Sequence, residues 1–134
     1  MILVDASAWV ALFLPGDSHH PAARQEWDQL RASAEPLGTT DYLIDETLTV
    51  MERRLNRAGA ILAGEGLLST PRLTRLPITA EIFEAAWALY RSPAGAGLSF
   101  TDCTSVAAMR AAGASAIFTF DRGFRKAGLR TRPA

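Results

Sequence analysis

The sequence predicts an α/β protein with a parallel sheet, and three observations lead to this prediction. Residues 2–4 form a continuous apolar, partly β-branched run, which is typical of a strand covered on both faces. A second run of this kind spans residues 116–120. Helical periodicity lies between the predicted strands, and such alternation indicates parallel strands joined by right-handed crossovers.

The chain has the composition of an ordinary globular domain. Its 134 residues suit one domain, which can bury roughly 68% of the surface that the unfolded chain exposes. Hydrophobic residues make up 49% and charged residues 21%, a balance that excludes disordered and fibrous proteins. The single cysteine, Cys103, cannot form an internal disulfide, and no window reaches the roughly 18 apolar residues of a membrane span. We therefore expect a soluble cytoplasmic protein.

The net charge is zero, yet the charges are unevenly distributed. Residues 103–134 carry six basic side chains against Asp121 alone, so this segment has a charge of +5 and residues 1–102 have −5. A net charge of zero gives no support to nucleic-acid binding. A basic surface beside a binding site would nevertheless attract a phosphate ligand.

The first half of the chain is predicted to be mostly helical after the first strand. Helices are predicted at residues 6–14, 21–34, 42–57 and 58–69. Pro21 suits the first turn of its helix, Thr40 or Asp41 can cap the next one, and residues 35–38 are predicted to break the chain. A core stripe is predicted on the third helix, at Ile44, Leu48, Met51 and Leu55. Glu46 lies off this stripe and shares a second face with Leu43.

The second half returns to strands. Residues 73–78 are predicted to form a short strand, which Pro77 would confine to an edge or a strand end. Strands 116–120 and 129–131 complete the sheet. Helices are predicted at residues 80–90, 98–112 and 122–127. Their caps are predicted to come from Thr79 and from Ser99 or Thr101. The tryptophans are predicted to be core or interface aromatics: Trp9, Trp27 and Trp87.

Four acidic residues stand where secondary structure begins or ends, or off the core stripe: Asp5, Glu46, Asp102 and Asp121. If the strands that precede Asp5 and Asp121 are neighbours, both carboxylates lie at the sheet edge where parallel α/β proteins bind ligands. Asp102 heads the helix that leads into the second of these strands. Carboxylates that lie close together raise one another's pKa unless a cation neutralises them. Oxygen ligands without a His or Cys set suit Mg²⁺ or Mn²⁺.

Taken alone, each acid also has a purely structural explanation. Acidic residues favour helix starts, and a carboxylate just past a strand is commonly a cap. The adjacent His19 and His20 are better explained as an exposed turn before a helix than as a metal site, because no third His lies near them. Cys103 is expected to be a small buried hydrophobe.

The acids belong to an ordered set of four motifs. These are Asp5 followed by Ser7, Glu46 on the third helix, Leu-Ser-Phe-Thr-Asp-Cys at residues 98–103, and Thr-Phe-Asp-Arg-Gly-Phe at residues 119–124. In order and spacing the set resembles the PIN-domain family, in particular its small VapC-type toxins of type II toxin–antitoxin systems. The resemblance covers nearly the whole chain and depends on the four motifs together.

This resemblance implies a three-layer α/β/α sandwich and a single PIN domain over residues 1–134. It implies an endoribonuclease that uses Mg²⁺ or Mn²⁺, an RNA substrate, a homodimer, and a VapB-type antitoxin whose C-terminal segment occupies the groove of the site. The catalytic and metal-binding acids would be Asp5, Glu46, Asp102 and Asp121. Ser7 and Thr119 match polar positions around the metal and its water. Gly123 departs from the family pattern, which often has an acid there, so the number of metal ions, one or two, stays open.

In this interpretation, water attacks the phosphodiester in line and leaves a 5′-phosphate and a 3′-hydroxyl, without a catalytic histidine. Basic side chains would contact the RNA backbone. The candidates are Arg53, Arg57, Arg122, Arg125 and Lys126.

Two other functions fit parts of the pattern. Asp5 could be the phosphate acceptor of a phosphotransfer domain, but it lacks the paired acids of a receiver domain, and Ser7 stands where the related phosphatases need a second Asp. Alternatively, a PIN-like fold could act as a binding module without catalysis. The presence of all four acids favours the nuclease.

Overall fold

A five-stranded parallel sheet forms the centre of the structure, a computed structural model that describes residues 1–134. The strands are β1 (Ile2–Val4), β2 (Leu37–Thr40), β3 (Leu73–Leu76), β4 (Ala116–Phe118) and β5 (Thr131–Arg132). Their order across the sheet is β3-β2-β1-β4-β5, which places β1 in the middle and β3 at an edge, as Pro77 predicts. The α/β class is confirmed, and β1 and β4 are neighbours.

Seven α-helices accompany the strands. They are α1 (Ala6–Phe13), α2 (His20–Ser33), α3 (Asp41–Arg54), α4 (Arg57–Leu68), α5 (Ala80–Arg91), α6 (Phe100–Ala112) and α7 (Arg122–Lys126). A short 3₁₀ turn, Pro93–Gly95, lies between α5 and α6. The predicted caps Thr40, Thr79 and Ser99 each accept a backbone N–H of the first helical turn. None of the helices is both long and apolar enough to cross a membrane.

Helices cover both faces of the sheet, which gives the three-layer α/β/α sandwich. Ile2 and Val4 of β1 lie in one core cluster with Trp9 of α1. Leu3 lies in a second cluster, to which α3, α5 and α6 contribute Leu43 and other buried residues. Since side chains alternate between the two faces along a strand, β1 is covered on both sides, and this explains its uninterrupted apolar sequence.

The prediction that residues 35–38 break the chain is wrong, because Leu37–Thr40 form β2 and pair with β1 and β3. Gly38 and two threonines interrupt the apolar pattern that identifies a buried strand. A Cβ added at Gly38 would lie 2.8 Å from the Met1 Sδ, so glycine provides the space for that side chain. This strand depends on its neighbours rather than on a local apolar run.

The core stripe predicted on the third helix is partly wrong. Leu55 lies beyond the end of α3 and is 53% exposed, whereas Leu43, on the face shared with Glu46, is fully buried. The helix ends at Arg54, and α4 begins shortly afterwards. Asn56 is the N-cap of α4, because its Oδ1 accepts the Gly59 N–H.

The tryptophans do not share one environment. Trp9 is buried and Trp27 is half-buried, but Trp87 is 44% exposed on α5 and is therefore not a core residue. Cys103 is fully buried, as predicted, and burial raises the pKa of its thiol.

Candidate metal centre

Two of the four acids follow adjacent strands. Val4 is in register with Phe118, so Asp5 and Thr119 leave the sheet side by side, and the Asp5 N–H donates to the Phe118 carbonyl at 2.9 Å. Asp121 comes two residues later, as the N-cap of α7. The sheet thus places both carboxylates at its carboxyl edge, where ligands bind in parallel α/β folds.

Two hydroxyl groups hold the carboxylate of Asp5. The Ser7 Oγ donates to the Asp5 Oδ2 at 2.7 Å, and the Thr119 Oγ1 donates to the same oxygen at 2.8 Å. The same hydroxyls accept backbone N–H groups that follow β4, from Phe120 to Ser7 at 3.0 Å and from Asp121 to Thr119 at 2.9 Å. This network fixes the two strand ends to each other and directs both hydroxyl bonds to one oxygen of Asp5, leaving Oδ1 outside them.

Asp102 and Asp121 are each fixed by backbone amides. Asp102 forms a capping box with Ser99, in which its Oδ2 accepts the Ser99 N–H at 3.0 Å. The Asp121 Oδ1 accepts the Gly123 N–H at 2.8 Å. In both residues these bonds use one carboxylate oxygen and leave the second available to a ligand. Glu46 extends from α3, and its carboxylate makes no hydrogen bond or ion pair within the chain.

The four acids share one electrostatic environment. Desolvation raises the pKa of Glu46 to about 7, together with the negative charges of Asp5, Asp102 and Asp121. Burial also raises the pKa of Asp102, with further contributions from Asp121 and Asp5. Burial raises the pKa of Asp5 despite the opposing hydrogen bonds from Ser7 and Thr119. The structure therefore places the four acids that the sequence singles out within electrostatic reach of one another.

The charge of this cluster is not balanced by the chain itself. None of the ion pairs in the structure uses any of the four acids. The chemistry of the donors, which are all carboxylates, fits a hard divalent cation such as Mg²⁺ or Mn²⁺. No three His, Cys, Asp or Glu side chains are arranged as a complete set of metal ligands, however. The acids thus form a region of negative potential, and a bound cation would attract the carboxylates toward itself.

Two cavities are each lined by one of the four acids. One, of about 250 Å³, is lined by Glu46, Ser7 and Arg54. The other, of about 230 Å³, is lined by Asp121 and Thr119. The largest cavity, of about 570 Å³, lies elsewhere and is lined by none of the four acids.

His19 is a site residue that the sequence analysis missed. It lines both cavities that an acid lines, and its ring stacks on Phe120 with centroids 4.5 Å apart and an interplanar angle of 13°. The prediction of an exposed turn before a helix is correct for His19, whereas His20 is half-buried and begins α2. A turn pattern carries no signal that its tip reaches the end of β4.

Arg54 and Asp17 were also missed. The Arg54 Nη1 donates to the Asp17 Oδ2 at 2.6 Å, and Asp17 accepts the His19 N–H through Oδ1 at 2.9 Å. Although desolvation opposes it, these bonds lower the pKa of Asp17, which is therefore ionised at neutral pH. No sequence pattern links α3 with this turn, because Arg54 and Asp17 are 37 residues apart in the sequence.

The predicted RNA-contacting residues are not all equally placed. Arg122 and Arg125 line the cavity of Asp121, although Arg125 also donates to the Thr131 Oγ1 at 3.1 Å. Arg57 forms an exposed ion pair with Glu52. Arg53 and Lys126 are exposed and line neither cavity.

Gly123 occupies a tight position. A Cβ there would lie 3.2 Å from the Asp121 Oδ1 and 3.3 Å from the Gly97 carbonyl oxygen. The backbone N–H of Gly123 instead supports Asp121 directly. A side chain at this position would require the Asp121 carboxylate or the Gly97 carbonyl to shift by a few tenths of an ångström.

Comparisons with known proteins agree with this architecture. The PIN domain family model matches residues 2–129. Two curated relatives, from the CDC 1551 and H37Rv strains of Mycobacterium tuberculosis, are described as the 23S rRNA-specific endonuclease VapC20. Each is 36% identical over 131 residues, which cover 96% of this chain and 95% of the relative. The solved structure of M. tuberculosis VapC20, described as a sarcin–ricin loop cleaving toxin, superposes with a TM-score of 0.83 and 32% identity over 96% of each chain.

Proposed function

The chain belongs to the PIN-domain family, and from this premise we propose that it is a metal-dependent endoribonuclease and the toxin of a toxin–antitoxin pair. The observation that carries the proposal is the set of four carboxylates from two strand ends and two helices, of which none has a cation partner within the chain and whose charges contribute to the raised pKa values of Glu46 and Asp102. We treat residues 1–134 as a single PIN domain.

In the proposed site, acids hold the metal ion and two hydroxyl groups orient one of the acids. Asp5, Glu46, Asp102 and Asp121 would hold Mg²⁺ or Mn²⁺. Such an ion, when bound, lowers the pKa of water and stabilises negative charge on a phosphodiester. Ser7 and Thr119 keep Asp5 oriented, because both donate to its Oδ2. The burial of Asp5 excludes water from one side of the site.

The reaction would be hydrolysis of a phosphodiester by in-line attack of water. The oxygen of water forms a bond to phosphorus, the bond from phosphorus to the 3′-oxygen breaks, and that oxygen takes up a proton. The products carry a 5′-phosphate and a 3′-hydroxyl. Arg122, exposed beside Asp121, is positioned to pair with a phosphate of the bound strand.

The relatives suggest the substrate and partners. VapC20 is described as specific for 23S rRNA and as cleaving the sarcin–ricin loop. We propose a folded RNA of this kind as the substrate, a VapB-type antitoxin as the protein partner, and a homodimer as the assembly.

The proposal is tested by incubating the protein with a sarcin–ricin loop hairpin and with bulk rRNA, in Mn²⁺ and in EDTA. We expect cleavage by the wild type in Mn²⁺ only, and a loss of at least about 100-fold in Asp5→Asn and Asp102→Asn, because carboxylates at a metal site cannot be replaced by neutral amides without losing affinity. Asp28→Asn is the matched control, since Asp28 is exposed on α2 and lines neither cavity of the site. Cleavage that survives both chelation and substitution would rule out the metal–carboxylate mechanism.

A growth assay separates the nuclease from a binding module without catalysis. Expression of the wild type should arrest growth, Asp102→Asn should not, and co-expression of the proposed VapB-type antitoxin should restore growth. Equal arrest by the wild type and Asp102→Asn would favour the binding module.

A further inference from the structure

The turn before α2 places an aromatic stack beside the acids. His19 lies flat on Phe120, with ring centroids 4.5 Å apart, and Phe120 directly precedes Asp121. Phe120 also packs against Phe118 of β4, so the lower ring is fixed by the core. His19 itself is exposed, and no second aromatic ring stacks on its imidazole.

The backbone of this turn is rigidly held. The His19 N–H donates to Asp17, and Arg54 of α3 donates to the same carboxylate at 2.6 Å. The His19 side chain makes no capping bond to α2. The position of the ring is therefore determined by the backbone and by Phe120, and the imidazole nitrogens have no structural task.

His19 is shared by the two cavities that the acids line. It is the one residue that lines both the Glu46 cavity and the Asp121 cavity. The Asp121 cavity measures about 230 Å³, less than the roughly 300–1,000 Å³ of a pocket for a drug-sized ligand. Its lining includes Arg122, Arg125 and both rings of the aromatic stack. Cationic and aromatic side chains of this kind bind the phosphate and the base of a nucleotide, respectively.

We propose that His19, stacked on Phe120, is a base-stacking platform that holds one unpaired nucleotide of the RNA next to the scissile phosphate. The base lies on the face of the imidazole that Phe120 does not cover, and its phosphate pairs with Arg122. Aromatic side chains, including His, bind unstacked bases in this manner in sequence-specific RNA recognition. This inference rests on the proposed ribonuclease function and adds a positioning residue to it.

The platform requires an aromatic ring at residue 19 but not an imidazole, so His19→Ala and His19→Phe should behave differently. Cleavage of the sarcin–ricin loop hairpin is measured in Mn²⁺ under single-turnover conditions over a range of protein concentrations. His19→Ala should raise the half-saturating concentration about tenfold, which corresponds to the loss of one stacked base. Its maximal rate should stay within about threefold of the wild type.

His19→Phe should restore the half-saturating concentration to within about threefold of the wild type, because it keeps the ring. Tyr90→Ala is the matched control, since Tyr90 is an exposed aromatic on α5 that lines neither cavity. Melting temperatures of all variants exclude unfolding as a cause. An unchanged His19→Ala variant, a defect confined to the maximal rate, or a His19→Phe variant as weak as His19→Ala would each overturn the proposal.

A binding assay distinguishes this inference from the nuclease proposal. In an Asp102→Asn background, the hairpin carries 2-aminopurine in turn at each loop position, and stacking quenches its fluorescence. Quenching at one position that His19→Ala abolishes and His19→Phe retains supports the platform even if no RNA is cleaved. Absence of quenching at every position overturns the platform, whereas absence of cleavage by the wild type overturns the nuclease.

Discussion

At the scale of single residues, the site depends on a buried carboxylate that two hydroxyls hold in place. Asp5 is 4% exposed, and an isolated buried carboxylate is costly unless it accepts hydrogen bonds. The sequence singles out the acids themselves, because Asp5, Asp102 and Asp121 stand at the ends of elements and Glu46 lies off the core stripe of its helix. It does not predict that Ser7 and Thr119, 112 residues apart, would lie 3.2 Å from each other, since this contact exists only once β1 and β4 pair.

Thr119→Val tests the hydroxyl network with little change in shape. The substitution leaves Asp5 with one fewer donor and the Asp121 N–H without an acceptor, so we expect a loss of about 1–3 kcal/mol in the free energy of unfolding. We also expect weaker Mn²⁺-dependent cleavage, because Asp5 loses its orientation. Chemical denaturation and the cleavage assay measure the two effects.

Thr47→Val is the control for this prediction. Thr47 is equally buried, but its hydroxyl donates only to the Leu43 carbonyl within α3, so its loss leaves no donor or acceptor of the site unpaired. Equal effects of the two substitutions would show that the network around Asp5 has no special role.

The raised pKa of Glu46 should make the stability of the metal-free protein depend on pH. Its pKa is raised from 4.5 to about 7 on folding, so the native state holds a proton that the unfolded state has released. The free energy of unfolding should therefore fall as the pH rises from about 4.5 to 7. The raised pKa values of Asp5 and Asp102 act in the same direction.

The measurement is a series of denaturation midpoints in EDTA between pH 4.5 and 8. Glu46→Gln should lower the slope over this window, because the glutamine does not titrate. Equal slopes for the wild type and Glu46→Gln, or a wild-type stability that rises with pH over this window, would contradict the electrostatic account of the site.

At the scale of elements, local signals identify some elements and tertiary contacts determine the others. The buried run of β1, the Ser99 capping box and the Gly113 end of α6 are all written in local sequence. β2 is not, because Gly38 fits the Met1 side chain rather than a strand pattern. The exposed Leu55 and Trp87 show that helical periodicity alone does not reveal which face meets the sheet.

The ion pair between α2 and β5 yields a prediction at this scale. Glu26 is 5% exposed and lies 2.5 Å from Arg132, a close contact whose geometry does not meet that of a hydrogen bond. Arg132→Met should lower the free energy of unfolding by about 2–3 kcal/mol, because it leaves the buried Glu26 carboxylate unpaired. The loss is limited because water reaches the arginine site.

Arg130→Met is the matched control, since Arg130 is exposed and forms no ion pair. Thermal denaturation should show a clear loss for Arg132→Met and little change for Arg130→Met. The double variant Glu26→Leu with Arg132→Met should recover most of the loss. Equal stability of all three variants would mean that the ion pair does not hold β5 to α2.

At the scale of the whole molecule, the structure shows where the basic residues of the C-terminal segment lie. The basic segment that begins at residue 103 places Arg122 and Arg125 beside Asp121, whereas Arg132 is used by Glu26. The positive surface at the site is thus smaller than the +5 of the segment suggests. The relative with a solved structure shares this overall architecture at 32% identity, which agrees with a fold specified by buried strands rather than by surface charge.

The central claim is that folding gathers four carboxylates into one field that a divalent cation neutralises, and a melting-temperature titration with Mn²⁺ and EDTA at pH 7.5 tests it most directly. At ten times its dissociation constant the ion should stabilise the wild type by about 1.4 kcal/mol, or roughly 4 °C. Glu46→Gln and Asp102→Asn should lose most of this rise, while Asp28→Asn should keep it. A wild-type melting temperature that does not move at millimolar Mn²⁺, or an equal rise in all four proteins, would contradict the claim.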